Sequence, residues 1–284
     1  MRWSRWIIVA LLPLVVACSA VRLSYNQGPT LAYWWLDGYA DFNAEQSPSV
    51  KAALDDWFAW HRASQLPDYA QALAAMGALA ADKVTPAQVC SAIVAWQQRG
   101  LQAYERALPA MTDLVRSLTP EQIRHIERQF VRKHKDAVAD FLQAEPAERQ
   151  KAHYERALDR AESLYGKFND SQRRRLASDL LVSPFNPERW LNERSLRNAD
   201  TVRSLRQWQT DGSDSSTVQS GLRRFGQDAL QSPRADFRSY ASALLQSNCS
   251  MLAGLHNITT PEQRQHAAGK LKGWEDDLRA LLRR

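Results

Sequence analysis

Six histidines, His61, His125, His134, His153, His256 and His266, are the side chains with the widest chemical reach in this 284-residue chain. A helical zinc hydrolase places two histidines one turn apart with a glutamate between them. Here Glu121 and His125 share a face, as do His125 and Gln129, but no histidine stands four residues from another. His134 falls between Phe130 and Val138 on an apolar stripe and reads as a half-buried packing residue. No metal and no cofactor is therefore expected. Nucleophilic catalysis finds no better footing. There is no Gly-x-Ser-x-Gly elbow and no glycine-rich phosphate loop, and Cys90 sits beside Val89 and Ile93, where it suits packing. Glycoside chemistry needs a carboxyl of raised pKa in a groove. Glu188 and Glu193, flanking Trp190 near Arg189 and Arg194, are the best candidates, but a solvated helix face with ordinary ion pairs is the preferred reading of them. No catalytic residue is assigned on this basis. Binding is preferred to catalysis, with a peptidoglycan-active enzyme as the alternative.

The elements that would position these groups are helices. After residue 29 nearly every segment has a 3.6-residue apolar period, and no two-residue alternation persists. Val50, Leu54, Trp57, Phe58 and His61 form one such face, and Val89, Ile93, Trp96, Tyr104 and Leu108 another, with Pro109 expected to kink or end that helix. Start signals recur in Thr85-Pro86-Ala87-Gln88, Thr119-Pro120-Glu121-Gln122, Asn169-Asp170-Ser171-Gln172 and Thr260-Pro261-Glu262-Gln263. In each, Thr or Asn caps free amides and Gln at N3 reaches back; Pro at N1, where present, forfeits nothing. With only 11 glycines and 12 prolines, turn-dense β architectures are disfavoured. The expectation is all-α: an irregular multi-helix bundle of about ten helices. The polar stretch 210–216 is expected as a flexible surface loop within one domain spanning 18–284.

The N-terminus reads as an address. Arg2 and Arg5 precede an apolar run from Ile7 to Val16, too short to span a bilayer, giving a signal peptide over 1–17. Val15-Val16-Ala17-Cys18 resembles a bacterial lipobox. The resemblance implies cleavage after Ala17 and acylation of Cys18 (a diacylglycerol and a third chain such as palmitate). Each buried methylene contributes roughly 0.8 kcal/mol, so several chains anchor a protein stably. Ser19 in place of the aspartate that favours inner-membrane retention implies an outer-membrane lipoprotein facing the periplasm. The expected partner is the membrane, through that anchor, together with envelope proteins or anionic envelope surfaces. Removing Arg2 and Arg5 leaves 35 basic against 31 acidic residues, and the periplasm excludes nucleic acid as a partner. In that oxidising compartment Cys90 and Cys249 form a disulfide or remain two buried thiols.

Tyr33, Trp34, Trp35 and Tyr39 lie shortly after the anchor and suit either a membrane or partner interface or a packed core. The basic runs at 132–135 and 173–175 suit lipopolysaccharide phosphates or plain solvation.

Leu31-Ala32-Tyr33-Trp34-Trp35-Leu36-Asp37-Gly38-Tyr39, then Glu45-Gln46 and Trp60-His61-Arg62, resemble the start of a proteobacterial helical lipoprotein family of unknown function. That resemblance implies location and fold but no activity. A looser likeness links Leu118-Thr119-Pro120-Glu121-Gln122 and Phe168-Asn169-Asp170-Ser171-Gln172 to the paired LTxxQ motifs of periplasmic stress chaperones, the second copy departing at Phe168 and Asn169. It implies a protein-binding or chaperone-like role.

Overall fold

A computed structural model describes residues 20–283; the signal segment and Cys18 lie outside them. The described chain is all-α. Its helices are α1 (Ala20–Asn26), α2 (Gly28–Ala40), α3 (Gln46–Trp60), α4 (Leu66–Leu79), α5 (Pro86–Ser117), α6 (Pro120–Phe141), α7 (Pro146–Tyr165), α8 (Asp170–Leu181), α9 (Pro187–Thr210), α10 (Ser215–Leu230), α11 (Ala235–Asn257) and α12 (Pro261–Leu281). A π-helical turn, His61–Gln65, joins α3 to α4 without a break. It turns His61 inward, where Trp57 stacks on its ring with centroids 4.7 Å apart and the Tyr25 hydroxyl lies 2.9 Å from Nδ1. Burial lowers the His61 pKa and raises that of Tyr25 to about 12.

The 32-residue α5 is the spine, about 48 Å long at 1.5 Å per residue. α3, α10 and α11 pack along it, while α6 packs on α2 and α9, and α4 on α12. Pro109 neither ends α5 nor starts a new helix. Its ring is exposed, while buried Leu108 packs the adjoining turn against α10 and buried Thr112 donates to the Leu108 carbonyl at 2.8 Å. Packing on both sides outweighs the lost N–H. Two glycines admit α10 to this interface. A Cβ on Gly221 would lie 2.1 Å from the Trp208 ring, and one on Gly226 would lie 2.5 Å from the Tyr104 ring. The loop expected over 210–216 is shorter, spanning only 211–214, because Asp214 caps the Thr217 amide at 2.7 Å and starts α10.

The cap glutamines do more than start helices. Gln122 and Gln46 are buried and exchange amide bonds, at 2.6 Å from Gln122 and 3.2 Å from Gln46. Their remaining protons go to the carbonyls of Asp41 and Ser117, both at 2.9 Å. Gln172 and Gln263 repeat the arrangement at 2.6 and 3.1 Å, donating also to Ile258 and Lys167 carbonyls. Each pair joins one Asn-x-x-Gln start to one Thr-Pro-Glu-Gln start, so two helix N-termini lock together. Gln122→Ala strips partners from Gln46, the Asp41 carbonyl and the Thr119 amide at once. The expected loss is about 2–4 kcal/mol by denaturant unfolding. Adding Gln46→Ala should cost less than the two single changes together.

A second lock sits between α7 and α8. Glu162 accepts from the Phe168 amide at 3.1 Å and pairs with Lys167 at 3.0 Å and Arg173 at 2.8 Å. The amide first, then the two cations, hold its pKa down at about 2. Because the folded value lies below the unfolded one, this stabilisation is complete above about pH 4.5 and is lost as pH falls through 2. The melting temperatures of the native chain and Glu162→Gln should therefore differ at pH 6 and converge towards pH 2.

Cys90 of α5 and Cys249 of α11 are joined by a disulfide, with Cα atoms 5.4 Å apart. Most of the buried apolar residues gather into four clusters. One joins α6 to α9 around Ile123, Ile126 and Val202, and another joins α5 to α10 around Leu108 and Val218. The third joins α4 to α12 around Leu73 and Leu271, and the fourth joins α7, α8 and α11 around Phe168, Leu176 and Leu255. All four are built from residues 40–278, so a chain beginning at Ser19 keeps all four.

Candidate binding cleft

The third and fourth clusters do not merge. Between them helices α4 through α12 leave a cleft of about 1410 Å³. Its walls are aliphatic and aromatic: Ile93 and Trp96 from α5, Leu244 and Leu252 from α11, Leu271 and Trp274 from α12. Leu79, Leu230, Leu252 and Trp274 are large apolar side chains that stay exposed while lining it. The disulfide staples the α5 wall to the α11 wall, since Val89, Ile93, Asn248 and Leu252 around it all face the cleft. Ligand sites typically occupy roughly 300–1,000 Å³, so this cleft admits an elongated or branched apolar guest.

Its polar lining is mostly engaged in holding the walls. His256 Nε2 lies 2.7 Å from the Asp82 carbonyl, which can only accept, so Nε2 carries the proton and Nδ1 accepts from the Tyr165 hydroxyl at 2.8 Å. Burial raises the Tyr165 pKa to about 12, which keeps that hydroxyl a donor. Ser232 donates to Glu193, and the Asn186 amide donates to the Tyr240 hydroxyl. To the lining α7 contributes His153, Arg156 and the exposed Arg160. The His153 ring packs on Phe185, 4.9 Å between centroids, and its pKa is lowered by burial and then by the two arginines.

A family model for proteins of unknown function, DUF6279, matches residues 38–223. The chain belongs to this family. The match holds the Gln46–Gln122 lock entire but stops before Cys249 and Gln263. No curated protein and no solved structure matches the chain.

The residues singled out in the sequence fall into three groups. Tyr33 and Tyr39 turn inward: Tyr33 donates to Ser47 at 3.0 Å, and Tyr39 packs on Phe130 with ring centroids 6.0 Å apart. Trp34 and Trp35 point outward, 63% and 64% exposed, with Leu23 and Leu31 nearby in sequence also exposed. Glu188 and Glu193 lie in different surroundings. Glu188 is exposed and pairs with Arg149 at 3.4 Å. Glu193, contrary to the expected solvated face, is 2% exposed and bound by Ser232 at 2.7 Å and Arg234 at 3.0 Å. Its burial comes from the turn before α11, where Ser232 and Arg234 close over it; Leu191, two residues away, lies on the opposite side of α9. Among the histidines, His125 approaches Gln129 at 3.0 Å and the Gly38 carbonyl at 3.3 Å. Among the described residues no group of three His, Cys, Asp or Glu side chains could hold a metal ion.

Sequence reasoning missed the cleft itself. Its signal was the width of the α11 apolar face: Phe237, Tyr240, Ala241, Leu244, Leu245 and Leu252 cover more of the helix than one packing stripe needs.

Proposed function

We propose that the protein is a non-catalytic binding component of the bacterial cell envelope, anchored through acylated Cys18 to the periplasmic side of the outer membrane. It works by receiving apolar parts of other envelope molecules in its cleft. The observation that carries the reading is the cleft: a large apolar trough whose polar side chains are mostly committed to holding its walls. The address rests on the Val15-Val16-Ala17-Cys18 motif, and the outward Trp34 and Trp35 support it as side chains that favour a membrane interface. Among the described residues no helix is long and apolar enough to cross a membrane.

A photo-crosslinking residue placed at Leu252 in the intact lipoprotein should capture envelope molecules in cells. The same probe at exposed Val131 on α6, outside the cleft, should not. Capture of a broad set of unfolded outer-membrane polypeptides is the chaperone-like form of the reading. Release of fragments from purified cell wall, stopped by Glu188→Gln, would replace it with an enzyme. Cys18→Ser should move the protein to the soluble fraction; continued anchoring would remove the lipid from the account.

A further inference from the structure

We infer that the cleft binds an anionic phospholipid, its acyl chains in the apolar trough and its phosphate between the arginines of α7. This rests on the reading of the cleft as the binding site. Arg156 and Arg160 stand one turn apart on the same face of α7 and both line the cleft. Among the described residues neither has a carboxylate within ion-pairing distance, although the protein is rich in such pairs. The acidic side chains nearby on α7 are Glu155 and Asp159, which do not line the cleft, while Glu162 is taken by Lys167 and Arg173. Across the cleft Arg197 lies 3.8 Å from Glu193, and Asp228 is the acidic side chain in the lining.

Arg156 is also held in place. Its guanidinium lies 4.6 Å from the Phe141 ring centroid, and Nη1 donates to the Asp140 carbonyl at 3.2 Å. Arg160 is exposed and free to close on a ligand. One anchored and one exposed guanidinium beside an apolar trough match a phosphate that carries hydrocarbon, because a guanidinium donates to two phosphate oxygens at once. The volume exceeds what one drug-sized guest fills, which favours two chains over one. An apolar peptide fits less well. It would bring backbone amides and carbonyls into a trough whose polar groups are largely spoken for, and each one left unpaired would weaken binding.

The test uses the chain from Ser19, titrated with phosphatidylglycerol carrying one fluorescent acyl chain. Saturable one-to-one binding is expected, displaced by unlabelled phosphatidylglycerol. The zwitterionic phosphatidylcholine should compete about tenfold less well, since it offsets the phosphate charge. Arg160→Glu, an exposed and unpaired position, should weaken binding about tenfold with an unchanged melting temperature. Ala241→Trp, which fills the trough, should abolish binding; circular dichroism would check that it folds. Absence of saturable binding, or equal affinity in native chain and Arg160→Glu, would overturn the inference. If an unfolded outer-membrane polypeptide crosslinks inside the cleft while phosphatidylglycerol does not bind, the binding reading stands and the lipid falls. If neither enters, both fall.

Discussion

Replacing Cys90 and Cys249 together by alanine should lower the melting temperature by roughly 10 °C, because it releases a loop whose ends lie 159 residues apart. Chain-entropy arithmetic for a loop of that length gives about 5 kcal/mol, and measured bridges fall at about 2–4 kcal/mol. Each kcal/mol shifts the midpoint of a protein of this size by about 2–4 °C. The loss should appear in the unreduced native chain on adding a thiol, and adding thiol to the double variant should change nothing further. That second arm separates the bridge from the packing of two small side chains, since Cys249 is itself fully buried. Function should suffer along with stability. The bridge fixes the spacing of α5 and α11, and a cleft whose walls drift apart loses its fit before the helices unfold.

The second large effect is expected at Glu193. Its carboxylate is buried, with Arg234 Nη1 at 3.0 Å, Ser232 Oγ at 2.7 Å and Arg197 further off at 3.8 Å. Arg234 also binds Asp200 and so ties these two carboxylates of α9 to the turn that leads into α11. Arg234→Met leaves a buried anion with one hydroxyl and one distant cation. The cost should be about 3 kcal/mol, at the low end for a broken buried pair because Arg234 itself is partly exposed. Glu193→Gln removes the charge that needs the cation and should cost less, about 1–2 kcal/mol. Denaturant midpoints in that order, with Arg234→Met the worse, would check the argument. Equal midpoints would mean that the pair is exchanging with water.

Comparison of particular elements shows how far the amino-acid order is legible. The starts of α5, α6, α8 and α12 follow from four residues each, because an N-cap is a local bargain between one side chain and the next three amides. That Gln46 meets Gln122 and Gln172 meets Gln263 does not follow from any window, since it depends on which helix lies alongside. Pro109 was misleading for a related reason: a local rule predicts a break, and packing around Leu108 and Thr112 overrides it. Thr210 to Ser216 reads by composition as one surface loop, yet Asp214 within it is itself a cap. The disulfide was one of two open readings and needed the approach of α5 to α11. The cleft is the hardest to foresee, because a void is set by what neighbouring faces fail to fill.

The closeness of α4 and α12 has a consequence for how the chain comes to be folded. Some 180 residues separate the end of α4 at Leu79 from the start of α12 at Pro261. At about 5–20 residues per second, a ribosome takes on the order of 10–40 s to cover that distance. Throughout that interval Leu73 and its neighbours have been made while their partner Leu271 has not. The beginning of the protein must wait for its end, carrying an uncovered apolar stripe that any passing hydrophobic surface can seize. A chain closed in this way cannot fold in the order in which it is born.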